Sequence, residues 1–338
     1  MPHIFKKSID KGLFRRKSFA TDLRKLDWLS KAALPEPRLR AAAVASGDNI
    51  YLFGGELFRE YSNNSFRTDP ALDVLRYNSA SNNWDLVSQL PSARGHCSAV
   101  INGQDVFVVG GVKKLRERVD VFNLSSESWT LLADFEGIVP FSGVALIHGA
   151  SIYALGGLHS SGEITGKVLR YDISTQQVAP DDTCTQMPTP RFSFATAVGK
   201  DEVIYTIGGL GKYLATDGTM IQGRMATVEA YNPATNTWKS CAPMNIPRAE
   251  LTAVTGPDGT IYALGGMNNG AACNSVERYD PDTDSWSEEP SFTQARLYHT
   301  AALAGGNRIF VIGGQAQDSC DGVPEVLDSV EASTDPAP

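Results

Sequence analysis

Across 338 residues there are only five cysteines and five histidines. The cysteines, Cys97, Cys184, Cys241, Cys273 and Cys320, are odd in number and scattered, with no CxxC pair. That excludes a disulfide framework and fits a reduced, cytoplasmic compartment, where the sequons at Asn63 and Asn123 carry no meaning. No apolar run approaches the roughly 20 residues of a membrane span, and the N-terminus lacks the apolar core of a secretory leader. Also missing are GxSxG, GxxxxGK[ST] and HExxH, so the sequence announces no nucleophile elbow, phosphate cradle or zinc helix. No metal and no cofactor are expected. The net charge is −8 and the pI near 5.2. General nucleic-acid binding is not expected either, because neutralising phosphates needs a basic face.

What the chain has is an internal repeat. Six apolar runs end in a glycine pair, at Gly54-Gly55, Gly110-Gly111, Gly156-Gly157, Gly208-Gly209, Gly265-Gly266 and Gly313-Gly314. Successive pairs are 56, 46, 52, 57 and 48 residues apart. A period near 50 is that of one four-stranded propeller blade. After each of the first five pairs a Val precedes an aromatic residue and an Asn or Asp at fixed offsets, and in four of them a Trp follows, as in Val276, Tyr279, Asp280 and Trp286. Ten residues beyond Trp84, Trp238 and Trp286 stands an arginine, Arg94, Arg248 and Arg296, followed by a strand of small residues.

Each feature has a packing reason. Small residues suit the innermost strand, where blades converge and room is least. An Ile/Val/Tyr run without clean alternation reads as a strand buried on both faces. Glycine ends that run because a Cβ would obstruct the turn. Tyr and Trp, on the two outer strands, fill the widening gap between neighbouring sheets.

This set of residues resembles the kelch repeat, over nearly the whole chain. The resemblance implies an all-β, six-bladed propeller. The departures are Val178 in place of Trp, Pro140 in place of Arg in the third unit, and Ser333 in place of the aromatic in the sixth. The sixth unit also runs out before a Trp strand, whereas Trp28 stands ten residues before Arg38 with no glycine pair ahead of it. A strand at 23–29 is therefore expected to complete the last blade and close the ring. The boundaries expected are a basic tail over 1–22, the propeller over 23–333 and a short tail over 334–338.

Residues 1–26 carry eight basic residues against Asp10 and Asp22, a net +6, which leaves −14 for the rest. Such an arm reads as solvated or folded back on the acidic body. Phe5, Ile9, Leu13 and Phe14 among those charges give membrane-surface contact as the alternative.

The kelch resemblance implies binding at the face formed by loops leading into the innermost strand and loops leaving the glycine pair. Counting two residues past each repeat arginine, or its equivalent, gives Arg40, His96, Ser142, Ser193, Glu250 and Tyr298 as the ring around the mouth. Units three apart face each other, so His96 is expected opposite Glu250. From first Gly to following Val there are 20 residues in units one and four, against 9, 12 and 11 in units two, three and five. The two long loops lie on opposite sides and carry Glu56, Arg59 and Tyr213, residue types that anchor partners. The loop Lys113 to Arg118 is a basic patch suited to solvent or to an acidic peptide. Two function classes follow. One is a module that binds a protein, peptide or small-molecule ligand at the mouth, with no BTB-like segment expected ahead of it. The other is an isomerase-like or lyase-like enzyme using His96 and Glu250 for acid/base work, with Tyr298 and Arg40 on the substrate. Polar residues at solvent-facing strand ends would give the same pattern without either role.

Overall fold

The computed structural model describes residues 27–334, apart from 61–65, 112–116, 133, 136, 138–142, 148–149, 160, 181, 215–219 and 317–323. Six four-stranded antiparallel sheets account for most of them. In blade 5, Thr252–Thr255 lies innermost, followed by Ile261–Leu264, Val276–Asp280 and Ser285–Glu289. The six inner strands touch in cyclic order, and Thr300–Ala304 of the sixth blade lies against Ala42–Ser46 of the first. Ala43, Ala99, Thr196, Ala253 and Ala301 face the axis, which is why these strands are built of small residues. The second strand of each blade is buried on both sides, as the run Ile261 to Leu264 shows at 0–1% exposure.

The sixth sheet takes its outer strand from the other end of the chain. Trp28–Lys31 pairs antiparallel with Val330–Ser333, with Trp28 opposite Ser333. The strand lies further along than the expected 23–29, of which 23–26 fall outside the described residues. The register explains its position: with Trp28 at the usual tryptophan site, its ring stacks edge-on to Phe292 at 5.6 Å and its Nε1 donates to Pro290 O at 2.8 Å.

The same indole bond recurs around the ring. Trp84 donates to Ala32 O, Trp238 to Thr185 O and Trp286 to Ala242 O, in each case in the preceding blade or just past its outer strand. Beside it, Asn82, Asn236 or Asp284 accepts the hydroxyl proton of the blade's own tyrosine, Tyr77, Tyr231 or Tyr279, at 2.7 Å. The same side-chain oxygen accepts a backbone N–H from the preceding blade. The tyrosines are the fully buried partners, while the tryptophans remain partly exposed.

Five repeat arginines, Arg38, Arg94, Arg191, Arg248 and Arg296, are among the most deeply buried side chains of the protein. Each is paired with a carboxylate on the third strand of the blade it leads into: Asp73, Asp120, Glu229, Glu277 and Glu331 respectively. Each also donates to the carbonyl of the first glycine of that blade's pair. A Cβ on Gly208 would lie 2.5 Å from the carbonyl oxygen of Arg248 in the next blade, and its φ is +66°. The glycine pair is thus where the neighbouring arginine segment docks. In the third unit the sequence has Pro140 and Leu169 at the arginine and acid positions, so both charges of the repeat pair are exchanged together.

Candidate functional site

Arg40, His96, Ser193, Glu250 and Tyr298 adopt left-handed backbone angles, with φ between 53° and 58°. Their common cause is a belt of hydrogen bonds between blades. Arg40 N donates to Tyr298 O, His96 N to Arg40 O, Glu250 N to Ser193 O and Tyr298 N to Glu250 O. The sixth expected member, Ser142, lies outside the described residues. Left-handed angles cost least at Gly, Asn and Asp. Here they are held by Arg, His, Ser, Glu and Tyr, whose side chains all line a central cavity of about 280 Å³.

The ring is polarised. On the side of blades 6, 1 and 2, the Arg40 guanidinium lies 3.9 Å from the centre of the Tyr298 ring and donates to Glu56 Oε2 at 2.8 Å. His96 Nε2 lies 3.5 Å from the other Glu56 oxygen, and its ring meets Tyr298 edge-on at 6.5 Å. Burial, and secondarily the Arg40 charge, push the His96 imidazole down to about 3, so it is neutral at physiological pH. On the side of blade 5, burial pushes the Glu250 carboxyl up, against the opposing pull of Arg224 and then Arg40. Its Oε2 is buried with no hydrogen-bond partner among the described residues.

The long loops are β-hairpins. Glu56–Glu60 pairs with Phe66–Pro70, and its first two residues pair with Arg38–Leu39, immediately before ring residue Arg40. In blade 4, Leu210–Leu214 pairs with Met220–Arg224 and with Arg191–Phe192, immediately before ring residue Ser193. Each hairpin therefore rises beside the mouth, and the two stand on opposite blades. Glu56, expected on a loop, is buried beneath Arg40 and His96. Arg59 is at the rim, half-exposed and 3.0 Å from Glu36. Tyr213 sits in its hairpin opposite Ile221, its side chain being outside those described. Most of the basic stretch Lys113 to Arg118 also lies outside the described residues. Of that stretch, Arg118 donates to Asp120 at 2.9 Å.

Two features escaped the sequence reading. The role of Glu56 under the mouth had no signal, since it depends on the hairpin register. The buried arginine–carboxylate pairs did have one: an acid next to the repeat Val in every unit except the third. Among the described residues no group of three or more His, Cys, Asp or Glu side chains is placed to hold a metal ion. Among the described residues no helix is long and apolar enough to cross a membrane.

Comparison with known proteins adds to this geometry. The profile of the KLHDC2/KLHL20/DRC7 Kelch-repeats domain matches residues 40–250 and 144–328. Kelch-like protein 35 of Mus musculus is 28% identical over 249 residues, which are 71% of this chain and 37% of that protein. Kelch-like protein 23 of Homo sapiens is 29% identical over 250 residues, 71% of this chain and 39% of that protein. The chain thus spans less than two fifths of the length of these relatives. The solved structure of YjhT matches with a TM-score of 0.67 at 16% identity, covering 88% of this chain and 95% of that one, a likeness of fold.

Proposed function

The chain belongs to the kelch-repeat family, and we propose that it works in the cytoplasm as a recognition module holding a protein or peptide partner over the propeller mouth. The observation that carries this reading is the ring of left-handed Arg, His, Ser, Glu and Tyr residues. A glycine at any of these positions would relieve the backbone, so side chains retained there at a cost of about 1 kcal/mol each support a role in contact with something in the cavity. Tyr298 and Arg40 form a stacked, preorganised platform, and Glu250, next to Tyr298 along the ring, offers an unoccupied acceptor beside it. The hairpins Glu56–Pro70 and Leu210–Arg224 extend the contact area on either side.

The enzyme reading is weaker on the same geometry. An acid/base partner for Glu250 would have to gain and lose a proton near neutrality, and His96 is held neutral far below that range. The test is binding by folded variants. Tyr298→Ala and Glu250→Gln, each confirmed by circular dichroism, should lose a partner that the wild type retains, measured as Kd with the purified partner. Retention at wild-type affinity by both would overturn the reading.

A further inference from the structure

Five of the six seams between neighbouring blades are fastened by polar bonds of fixed geometry. Each carries an indole N–H bond across the seam and a buried arginine–carboxylate pair whose arginine segment docks on the preceding blade's glycine pair. Among the described residues the seam between blades 2 and 3 carries neither, and its sequence has Val178 and Pro140 at the tryptophan and arginine positions. Val178 stands opposite Tyr171 where every other blade has a tryptophan. Gln176 keeps the left-handed turn, with φ 54°, that Asn82, Asn236 and Asp284 occupy elsewhere. It does not reproduce their bond, and the Tyr171 hydroxyl is buried with no partner among the described residues.

Between blades 2 and 3 the described residues Phe107, Phe135, Ile152, Leu169 and Tyr171 pack in one apolar cluster. Exchanging the ion pair for Pro140 and Leu169 is close to neutral by itself, because a buried pair pays for its own desolvation. The difference lies in the indole bond that Val178 cannot make and in the buried Tyr171 hydroxyl with no partner among the described residues, which together lower the cost of parting the two faces. We infer that the ring has a built-in opening seam between blades 2 and 3, which parts before any other.

Two native buried thiols provide internal standards. Cys184 packs in the cluster between blades 3 and 4, and Cys241 in the cluster between blades 4 and 5. Ala154→Cys adds a third thiol at a buried position of the cluster between blades 2 and 3. Under native conditions, with sites resolved by mass spectrometry, the introduced thiol should react with a maleimide at least tenfold faster than Cys184 or Cys241. Adding Gln176→Asn and Val178→Trp should remove that difference. Should those variants misfold, amide exchange of the wild-type chain decides the matter. Strands Ser151–Leu155 and Val168–Asp172 should exchange at least tenfold faster than Ile204–Ile207 and Val228–Asn232 of blade 4. Equal labelling of the three thiols, or blade 3 protected as well as blade 4, would overturn the inference.

Discussion

Arg248 donates to Glu277 at 2.8 Å with both side chains withdrawn from solvent, and the same arginine also donates to the carbonyl of Gly265 at 2.9 Å. One guanidinium thereby joins the segment leading into blade 5, the third strand of that blade and the turn that ends its second strand. Arg248→Ala or Glu277→Ala should each cost about 3–5 kcal/mol, because either leaves the other charge buried and unpaired. The double change Arg248→Met with Glu277→Leu should cost less than either single change, as the third blade's Leu169 suggests. Urea unfolding of the three variants checks this.

The tyrosine hydroxyls separate the blades. Tyr279→Phe removes a bond to Asp284 and should cost about 1 kcal/mol. Tyr171→Phe removes a buried hydroxyl with no partner among the described residues and should be neutral or stabilising. Equal losses in thermal unfolding would show that Tyr171 has a partner in solution.

Stability should fall on the acid side of neutrality. His96 has a folded pKa of about 3, below its ordinary value, so the unfolded chain takes up the proton first as the pH drops. Its contribution is complete above about pH 6.5 and declines toward pH 3. At pH 5 the loss is about 2 kcal/mol from this residue. His299, buried and pushed down in the same way, adds in the same direction. Glu250, pushed up by burial, acts oppositely, its contribution being present at low pH and lost as the pH rises through its folded value. His96→Gln should flatten the stability profile between pH 7 and 5, and partner binding between pH 5.5 and 7.5 should not follow a histidine titration.

Closure of the ring depends on Trp28–Lys31. Removing residues 1–31 leaves the edge of Val330–Ser333 unpaired and Phe292 without its stacking partner. That protein should aggregate or unfold at a markedly lower Tm, whereas removal of 1–22 should leave the Tm unchanged.

Much of this was legible because the repeat samples one packing problem six times. Gly54 to Gly314 marked the turns, and Trp28 revealed the missing outer strand through its ten-residue distance from Arg38. The mouth positions followed from counting, since a fixed offset from a buried arginine fixes where the chain enters the innermost strand. What the sequence did not reveal was chemistry set by three-dimensional neighbours. The neutrality of His96 depends on burial beside Arg40, and Glu56 reaches them only because its hairpin pairs with Arg38–Leu39. The length of the blade 1 and blade 4 loops showed that they differ, but not that they form strands, because the alternation over Glu56–Glu60 is interrupted by charge.

The central claim is that partners are held at the mouth, and its most direct measurement is site-specific photocrosslinking. A photoreactive amino acid is placed at Ser193 on the ring, at Arg59 on the rim, or at Asp282 in the turn between the two outer strands of blade 5, and adducts formed in cell extract are identified by mass spectrometry. Discrete adducts of one partner from Ser193 and Arg59, and none from Asp282, are the predicted result. Adducts from Asp282 with none from the two mouth positions would contradict the account.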